Sequence, residues 1–212
     1  MVSATSDPHP GLARPIPLGI KVLVSGGFGV GKTTLIGSVS EIKPLHTEEP
    51  LTYAGVGHDD VDGVEAKRTT TVAMDFGRIY LSAELVLYLF GTPGQDRFWF
   101  LWDELALGAL GAIVLADTRR LADCFAAVDY FERRGTPFLV ACNCFHGEQP
   151  FDVADVRDAL DLDEGVPVML CDARDRESSK RVLAALVEHV MRLRAQPVVP
   201  TSGAARPAAV TP

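Results

Sequence analysis

Hydrophobic and polar positions along the chain predict strands that alternate with helices. Continuous apolar runs rich in Val, Leu and Ile indicate buried strands, whereas apolar residues spaced three or four positions apart indicate helices. The predicted strands cover about 19–25, 72–81, 84–90, 110–116, 137–142 and 166–171. The predicted helices cover about 31–40, 98–105, 121–134, 153–160 and 177–194. This alternation is typical of an α/β fold in which helices cover both faces of a mostly parallel sheet.

Two of these strands form a predicted hairpin. Only Ser82 and Ala83 separate strand 72–81 from strand 84–90, so the two strands pair in antiparallel fashion. The predicted sheet therefore has six strands, with one antiparallel edge strand. Between the first helix and the hairpin, residues 45–71 show no periodicity and are predicted to form a long loop, which in a compact domain is usually functional or disordered.

Composition bounds the domain organisation. The chain has 212 residues, of which 47% are hydrophobic and 23% charged, enough for one domain with a substantial core. Both ends are rich in proline, so residues 1–17 and 195–212 are predicted to be disordered tails around a domain at 18–194. The net charge of −8 argues against binding to nucleic acid, because phosphate backbones require clustered Lys and Arg.

The apolar segments also restrict the location of the protein. The longest of them, Leu105–Ala116, is short and contains Gly108 and Gly111, so we expect no direct insertion into a membrane. The start resembles no secretion signal and the end carries no prenylation cysteine, which predicts a cytoplasmic protein that reaches a membrane only through partners. The four cysteines form no C-x-x-C pair and are expected to be buried thiols.

The candidate chemistry begins in the segment GGFGVGKT at 26–33, between the first predicted strand and the first predicted helix. It fits G-x-x-x-x-G-K-[ST], the phosphate-binding P-loop, so the predicted fold is a single P-loop NTPase domain. Glycines let backbone N–H groups turn toward phosphate oxygens, and the helix N-terminus favours negative charge. Lys32 adds a positive charge at the β- and γ-phosphates, and Thr33 offers a hydroxyl to Mg²⁺. The predicted nucleotide-binding residues here are Gly26, Gly27, Phe28, Gly29, Val30, Gly31, Lys32, Thr33 and Thr34.

Two further segments resemble the switch regions of small GTPases. FGTPGQDRF at 90–98 is similar to their W-D-T-A-G-Q-E-R-F segment, and TVAMDF at 71–76 is similar to T-I-G-V-D-F of the first switch. Residues 18–194 thus resemble the small GTPase superfamily, most nearly the bacterial branch with the actinobacterial conservon ATP/GTP-binding proteins and the Mgl-type GTPases. That resemblance implies a roadblock/LC7-type regulatory partner and, as a further candidate, a sensor-kinase complex at the membrane.

The resemblance also implies roles for switch residues. Thr71 would meet Mg²⁺ and the γ-phosphate, with Thr69 and Thr70 as alternatives. Gly94 would donate its backbone N–H to the γ-phosphate, and Gln95 would orient the attacking water. The implied catalytic residues are Gln95, Lys32 and Thr71, and the implied metal ligands are Thr33 and Thr71.

Two positions depart from that family pattern. Gly91 stands where the family commonly has a metal-supporting aspartate, so weaker Mg²⁺ binding is expected. The N-K-x-D segment that reads the base is N-C-F-H here, with Asn143 retained and His146 in place of the aspartate, which reduces selectivity for guanine. In D-A-R, which aligns with the family's S-A-K loop, Ala173 would present its N–H to the base and Arg174 would pack on the ring.

These features predict a molecular switch that binds and slowly hydrolyses GTP under the control of a partner protein. Loops 45–71 and 91–103 would be ordered by the γ-phosphate and Mg²⁺ and released after hydrolysis. The cofactors would be GTP or GDP with Mg²⁺, and ATP is not excluded. A second hypothesis is a regulatory or scaffold module that holds nucleotide without turnover. A third, a P-loop kinase, requires an arginine-rich lid, which the sequence does not clearly supply.

Overall fold

A computed structural model describes residues 16–52, 69–94, 99–145 and 151–195 of the chain. In these ranges the strands are β1 (Leu18–Gly26), β2 (Leu45–Thr52), β3 (Thr69–Ser82), β4 (Leu85–Gly91), β5 (Ala109–Ala116), β6 (Phe138–Asn143) and β7 (Val168–Cys171). The α-helices are α1 (Lys32–Val39), α2 (Trp99–Ala106), α3 (Phe125–Arg134), α4 (Val153–Ala159) and α5 (Arg176–Ala195). A 3₁₀ helix, Thr118–Cys124, directly precedes α3.

The described strands form one sheet in the order β2-β3-β4-β1-β5-β6-β7. The five strands from β4 to β7 in this order are parallel, whereas β3 runs antiparallel to both of its neighbours. Because a parallel strand needs a crossover, helices connect most of these strands and come to lie on the faces of the sheet. The α/β arrangement agrees with the predicted fold class.

One strand lies where the sequence predicted a loop. β2 pairs along its whole length with β3, and it forms the edge of the sheet outside the hairpin. Its sequence, LHTEEPLT, lacks an apolar run because an edge strand has a partner on one side only and tolerates polar residues and proline. The six predicted strands are therefore joined by a seventh, and the predicted loop at 45–71 is wrong for the residues in β2 and at the start of β3.

The hairpin turn also differs from the predicted one by a single residue. β3 continues through Ser82, so the turn consists of Ala83 and Glu84, and the strand register shifts between Tyr80 and Ser82. A bulge of this kind adds one residue to one strand, which no alternation pattern reveals.

Helices cover both faces of the sheet. On β1, Val22 and Val24 pack with residues of α1 and α5, whereas Leu23 packs with residues of α2, α3 and α4. All three side chains are fully buried. Since successive strand residues point to opposite faces, a strand covered on both sides is apolar throughout, which is the pattern that predicted β1.

The predicted tails lie outside the described residues except at positions 16, 17 and 195. No helix among the described residues has the length and apolar character needed to cross a bilayer.

Burial raises the pKa of Cys124 and Cys171 to about 12 and that of Cys142 to about 11. These three side chains are buried as expected, whereas Cys144 is only partly buried.

Candidate nucleotide-binding site

The loop between β1 and α1 depends on glycine at fixed positions. Gly26, Gly29 and Gly31 have φ angles of 128°, 73° and 109°, a region that other residues rarely adopt. A Cβ at Gly26 would lie 2.3 Å from the Leu115 carbonyl oxygen, and a Cβ at Gly31 would lie 2.7 Å from Asn143 Nδ2. The loop is thus held tightly between the ends of β5 and β6, at the carboxyl edge of the sheet.

The start of α1 is arranged to receive an anion. Gly31 occupies the N-cap position, and it brings no side chain that could satisfy the first N–H groups of the helix. Those N–H groups and the helix dipole favour a negative group at this end. Phe28, at the tip of the loop, has 70% of its surface exposed, and Thr34 in the first turn is also exposed.

Lys32 lies within the curve of the loop. Its Nζ donates hydrogen bonds of 2.8 Å to the carbonyl oxygens of Gly26 and Gly27. Burial lowers the pKa of Lys32 to about 8, while the nearby Asp75 carboxylate acts in the opposite direction. The ammonium group is therefore poorly solvated, and a phosphate would supply the negative charge that the burial leaves unmatched.

The second switch-like segment reaches the loop at Gly94. A Cβ on this residue would lie 2.7 Å from Lys32 Nζ and 3.0 Å from the backbone nitrogen of Phe28. Just before it, the carbonyl oxygen of Pro93 accepts a hydrogen bond of 3.2 Å from Trp102 Nε1, a buried side chain of α2. The start of this segment is thus fixed between the core and the P-loop.

Asp75 is a site residue that the sequence reasoning missed. It lies in β3, and its Oδ2 accepts a hydrogen bond of 2.5 Å from Thr33 Oγ1. In the segment TVAMDF, a role was predicted only for the threonine. The signal that could have identified it is the aspartate of TVAMDF, which the similar segment T-I-G-V-D-F also carries.

The oxygen atoms of Thr33 and Asp75 suit Mg²⁺, a hard cation that prefers oxygen ligands and usually keeps phosphate and water in its shell. Such an ion would hold a phosphate chain against the P-loop and offset its negative charge. Two protein side chains are the number expected when phosphate and water fill the other ligand positions.

Asn143 joins three loops at the other end of the site. Its Nδ2 donates to the Val30 carbonyl oxygen at 2.9 Å, and its Oδ1 accepts from the Ala173 backbone nitrogen at 3.1 Å. The Ala173 N–H is therefore directed to Asn143, whereas the resemblance implied that it would face the base. Arg174, expected to pack on the base, forms two hydrogen bonds of 3.0 and 2.9 Å with the Asp172 carboxylate.

Two arginines that follow β5 were also missed. Arg120 donates to the Phe28 carbonyl oxygen at 3.1 Å, and the Arg119 guanidinium lies over the Phe145 ring, 4.1 Å from its centroid. Hydrogen bonds from Arg119 hold the pKa of the buried Asp117 carboxyl below its ordinary value. The pattern that could have found them is the polar run D-T-R-R directly after a buried strand, at the edge where ligands bind.

The family model of the conserved hypothetical ATP binding proteins matches residues 24–193 of the chain. The chain belongs to this family. An uncharacterized protein of Methanocaldococcus jannaschii, MJ1339, is 32% identical over 101 residues, which make up 48% of this chain and 53% of that protein. The match therefore spans about half the length of the curated relative.

Solved structures with a similar fold include FeoB domains. The cytosolic domain of the T. maritima FeoB iron transporter, in GDP form I, has a TM-score of 0.58 at 16% identity, covering 82% of this chain and 64% of that chain. The FeoB G-domain from Methanococcus jannaschii has a TM-score of 0.53 at 13% identity, covering 82% and 98%. The T. maritima FeoB G domain has a TM-score of 0.55 at 17% identity, covering 81% and 99%.

At these identities the similarity shows the fold alone, which is that of a G domain. It confirms the predicted P-loop α/β fold class. The assignment to the conservon or Mgl-type branch stays a prediction.

Most of the predicted P-loop residues lie together with Gly94, Asn143 and Ala173 at one edge of the sheet. Gln95 and His146 lie outside the described residues. Thr71 lies in β3, where its backbone is opposite Pro50 of β2. The predicted roles of these three residues stay predictions.

Proposed function

We propose that this protein is a molecular switch that binds a nucleoside triphosphate with Mg²⁺ at the P-loop and hydrolyses it slowly. The observation that carries the proposal is the position of Lys32, whose partly buried ammonium group lies inside a loop of glycines next to the N-terminus of α1. Each of these features favours a polyphosphate chain, and together they favour it at one place.

The contact between Gly94 and the loop supports a switch in particular. The backbone at Gly94 approaches both Lys32 and Phe28, which is where a γ-phosphate would meet the P-loop. A terminal phosphate must therefore displace or bond to this backbone, whereas a diphosphate leaves it unaffected. Because the chain continues from Gly94 to α2, the change in backbone position between the triphosphate and diphosphate forms would reach the surface of the domain.

GTP is the proposed nucleotide, with ATP as the alternative. The resemblance to small GTPases and the G-domain fold favour GTP, while the family description favours ATP. The base-reading segment retains Asn143 but replaces the guanine-reading aspartate with His146, so the preference for guanine would be modest.

Control by a partner is proposed from the resemblance to the bacterial branch. A roadblock/LC7-type protein is the first candidate, and a sensor-kinase complex at the membrane is the second. Gln95 would orient the attacking water, and Thr71 would complete the metal and γ-phosphate contacts. The partner would then raise a slow intrinsic rate of hydrolysis, in a cytoplasmic setting.

The decisive experiment measures binding of fluorescent GTP and ATP by purified protein in excess Mg²⁺. Replacing Lys32 with alanine should weaken binding about 10- to 100-fold, since a hydrogen bond to a charged group contributes about 1.5–3 kcal/mol and 1.4 kcal/mol corresponds to tenfold. Lys180→Ala is the matched control, because Lys180 is a surface residue of α5 that pairs with Glu177. Unchanged binding by Lys32→Ala would overturn the proposal.

Release of phosphate is measured with the same protein, alone and with a roadblock-type partner. Slow release that the partner accelerates supports the switch. Tight binding without any release, in either condition, would instead favour a module that holds nucleotide without turnover. A clear preference for ATP would change the nucleotide and leave the phosphate site as proposed.

A further inference from the structure

We infer that Asp75 of β3 supplies the carboxylate that supports Mg²⁺ in this domain, and that it makes nucleotide binding depend on the metal. The inference deepens the proposed function and rests on it, because it concerns the ion that accompanies the nucleotide. It places the metal-supporting acid on β3, whereas the family pattern places it on β4, at the position of Gly91.

The hydrogen bond between Thr33 and Asp75 is the first reason. Thr33 Oγ1 donates to Asp75 Oδ2, so the proton of the hydroxyl points to the carboxylate and its lone pairs are left for a cation. In P-loop NTPases the P-loop Ser or Thr and an aspartate from a neighbouring strand hold Mg²⁺ together. Partners that orient a metal ligand in this way also tune its affinity for the ion.

The space beside Gly91 is the second reason. Phe76 pairs with Phe90, so the next opposed positions on the two antiparallel strands are Asp75 and Gly91. A Cβ at Gly91 would lie 3.1 Å from Asp75 Cβ and 3.3 Å from Asp75 Oδ2. The carboxylate from β3 therefore occupies the space that a side chain from β4 would need, and an acid at position 91 would crowd it.

Electrostatics gives the third reason. The Asp75 carboxylate bonds to Thr33, the residue directly after Lys32, so its negative charge lies at the phosphate-binding loop. A carboxylate so close to a phosphate chain repels it unless a cation lies between them. Asp75 thus weakens nucleotide binding without a metal and strengthens it when the metal is present.

The test measures the affinity for fluorescent GTP or ATP in excess Mg²⁺ and in EDTA. For the wild type, Mg²⁺ should strengthen binding clearly. For Asp75→Asn, the Mg²⁺ effect should fall about tenfold or more, as loss of a group supporting a metal ligand does, while binding in EDTA is unchanged or tighter. A merely structural role would weaken binding equally in both conditions. Asp129→Asn, on the exposed surface of α3, is the control for loss of one negative charge.

A second variant tests whether the carboxylate can be moved. Asp75→Gly with Gly91→Asp places the acid on β4 and removes the crowding from β3. This double variant should regain a substantial part of the Mg²⁺ effect that Asp75→Gly alone has lost. If Asp75→Gly alone keeps the full Mg²⁺ effect and melts like the wild type, the carboxylate is not needed for the metal and the inference is contradicted.

A measurement on the unaltered protein covers the case in which the variants do not fold. With Mn²⁺ in place of Mg²⁺ and nucleotide bound, the amide resonances of Asp75 and Gly91 should broaden far more than that of Asp129. Equal broadening would overturn the inference, as would an undiminished Mg²⁺ effect in Asp75→Asn. Absence of nucleotide binding by the wild type in both Mg²⁺ and EDTA would instead remove the proposed function, and the inference with it.

Discussion

Asn143 Nδ2 donates a hydrogen bond of 2.9 Å to the carbonyl oxygen of Val30, although 113 positions separate the two residues in the chain. The other end of the same amide accepts from Ala173 N at 3.1 Å. Asn143 is buried, with 7% of its surface exposed, so water cannot replace either bond without rearrangement. This side chain therefore holds the P-loop against the loop that follows β7.

Replacing Asn143 with alanine should destabilise the protein even without nucleotide. The change leaves a buried carbonyl and a buried N–H without their partner, and each such group costs about 1–3 kcal/mol. We expect the free energy of unfolding in urea to fall by about 2–4 kcal/mol, since the loops can partly rehydrate. Affinity for nucleotide should also fall, because the P-loop loses its support.

Asn143→Asp is the matched comparison. The aspartate keeps an acceptor for the Ala173 N–H but places an acceptor against the Val30 carbonyl oxygen. It should therefore weaken nucleotide binding at least as much as alanine does, through the P-loop side of the contact. If both variants unfold like the wild type, Asn143 does not hold these loops together.

The sequence predicted the centre of the fold well because local patterns determine it. β1 and β5 are covered by helices on both faces, so they are continuous apolar runs that stand out at once. β2 escaped prediction because it is an edge strand whose register is set by β3, and its own residues are polar. Its existence depends on a pairing between segments distant in sequence, which periodicity does not report.

In the candidate site too, the residues set by local sequence were predicted and those set by contacts between distant segments were missed. The P-loop was found because its residues are contiguous and the backbone chemistry fixes their spacing. Asp75 was missed because its role depends on the contact with Thr33, 42 positions away, and on the absence of a side chain at Gly91, whose place the carboxylate takes. Arg119 and Arg120 are cationic residues that any exposed loop could carry, and only the fold places Arg120 at the P-loop tip and Arg119 over Phe145.

The pKa of Lys32 predicts how nucleotide affinity changes with pH. Burial lowers this pKa to about 8 in the nucleotide-free protein, whereas bound phosphate favours the ammonium form and raises it. Affinity should therefore be constant below about pH 8 and fall above it, by at most tenfold per pH unit. Calorimetry in two buffers of different ionisation enthalpy should show uptake of up to one proton per nucleotide at about pH 9 and almost none at about pH 7.

The same pKa affects the stability of the free protein in the opposite sense. Because the folded value lies below the ordinary value of 10.5, the charged form of Lys32 disfavours folding below about pH 8, and this penalty disappears as the pH rises toward 10.5. Lys21→Arg should leave the proton uptake unchanged, since Lys21 Nζ bonds to Leu107 and not to the P-loop. Zero proton uptake at both pH values would show that Lys32 stays charged in the free protein.

Gly26 should be intolerant of a side chain for a reason beyond its φ angle. In Gly26→Ala, the Cβ would lie 2.3 Å from the Leu115 carbonyl oxygen, so the backbone of β5 or the P-loop must move. Gly108→Ala is the comparison, because Gly108 also has a positive φ, 70°, but has open space around its Cβ position. We expect Gly108→Ala to cost about 1 kcal/mol and Gly26→Ala at least about 3 kcal/mol of unfolding free energy, measured in urea.

The difference between these two variants isolates the close approach of β5. Nucleotide affinity should be unchanged in Gly108→Ala, which lies between α2 and β5, and strongly reduced in Gly26→Ala. Equal losses of stability would mean that the strained backbone alone accounts for the glycine at position 26.

Gly94→Ala should separate triphosphate from diphosphate binding. The added Cβ would lie 3.0 Å from the Phe28 backbone nitrogen and 3.1 Å from the Gly27 carbonyl carbon, so the segment must move away from the P-loop. The amide that would bond to a γ-phosphate moves with it, whereas the P-loop N–H groups that would bond to the α- and β-phosphates stay in place. We expect affinity for the triphosphate to fall about tenfold, the equivalent of one hydrogen bond to a charged group, with little effect on the diphosphate.

The comparison uses displacement of the same fluorescent diphosphate by unlabelled di- and triphosphate. Gly165→Ala serves as the control, because a Cβ at that exposed glycine meets no atom within 4 Å. A variant that loses affinity for both nucleotides equally would show that Gly94 supports the loop without sensing the terminal phosphate. Since a switch requires that the two nucleotides be distinguished, that result would favour a module that only holds its nucleotide.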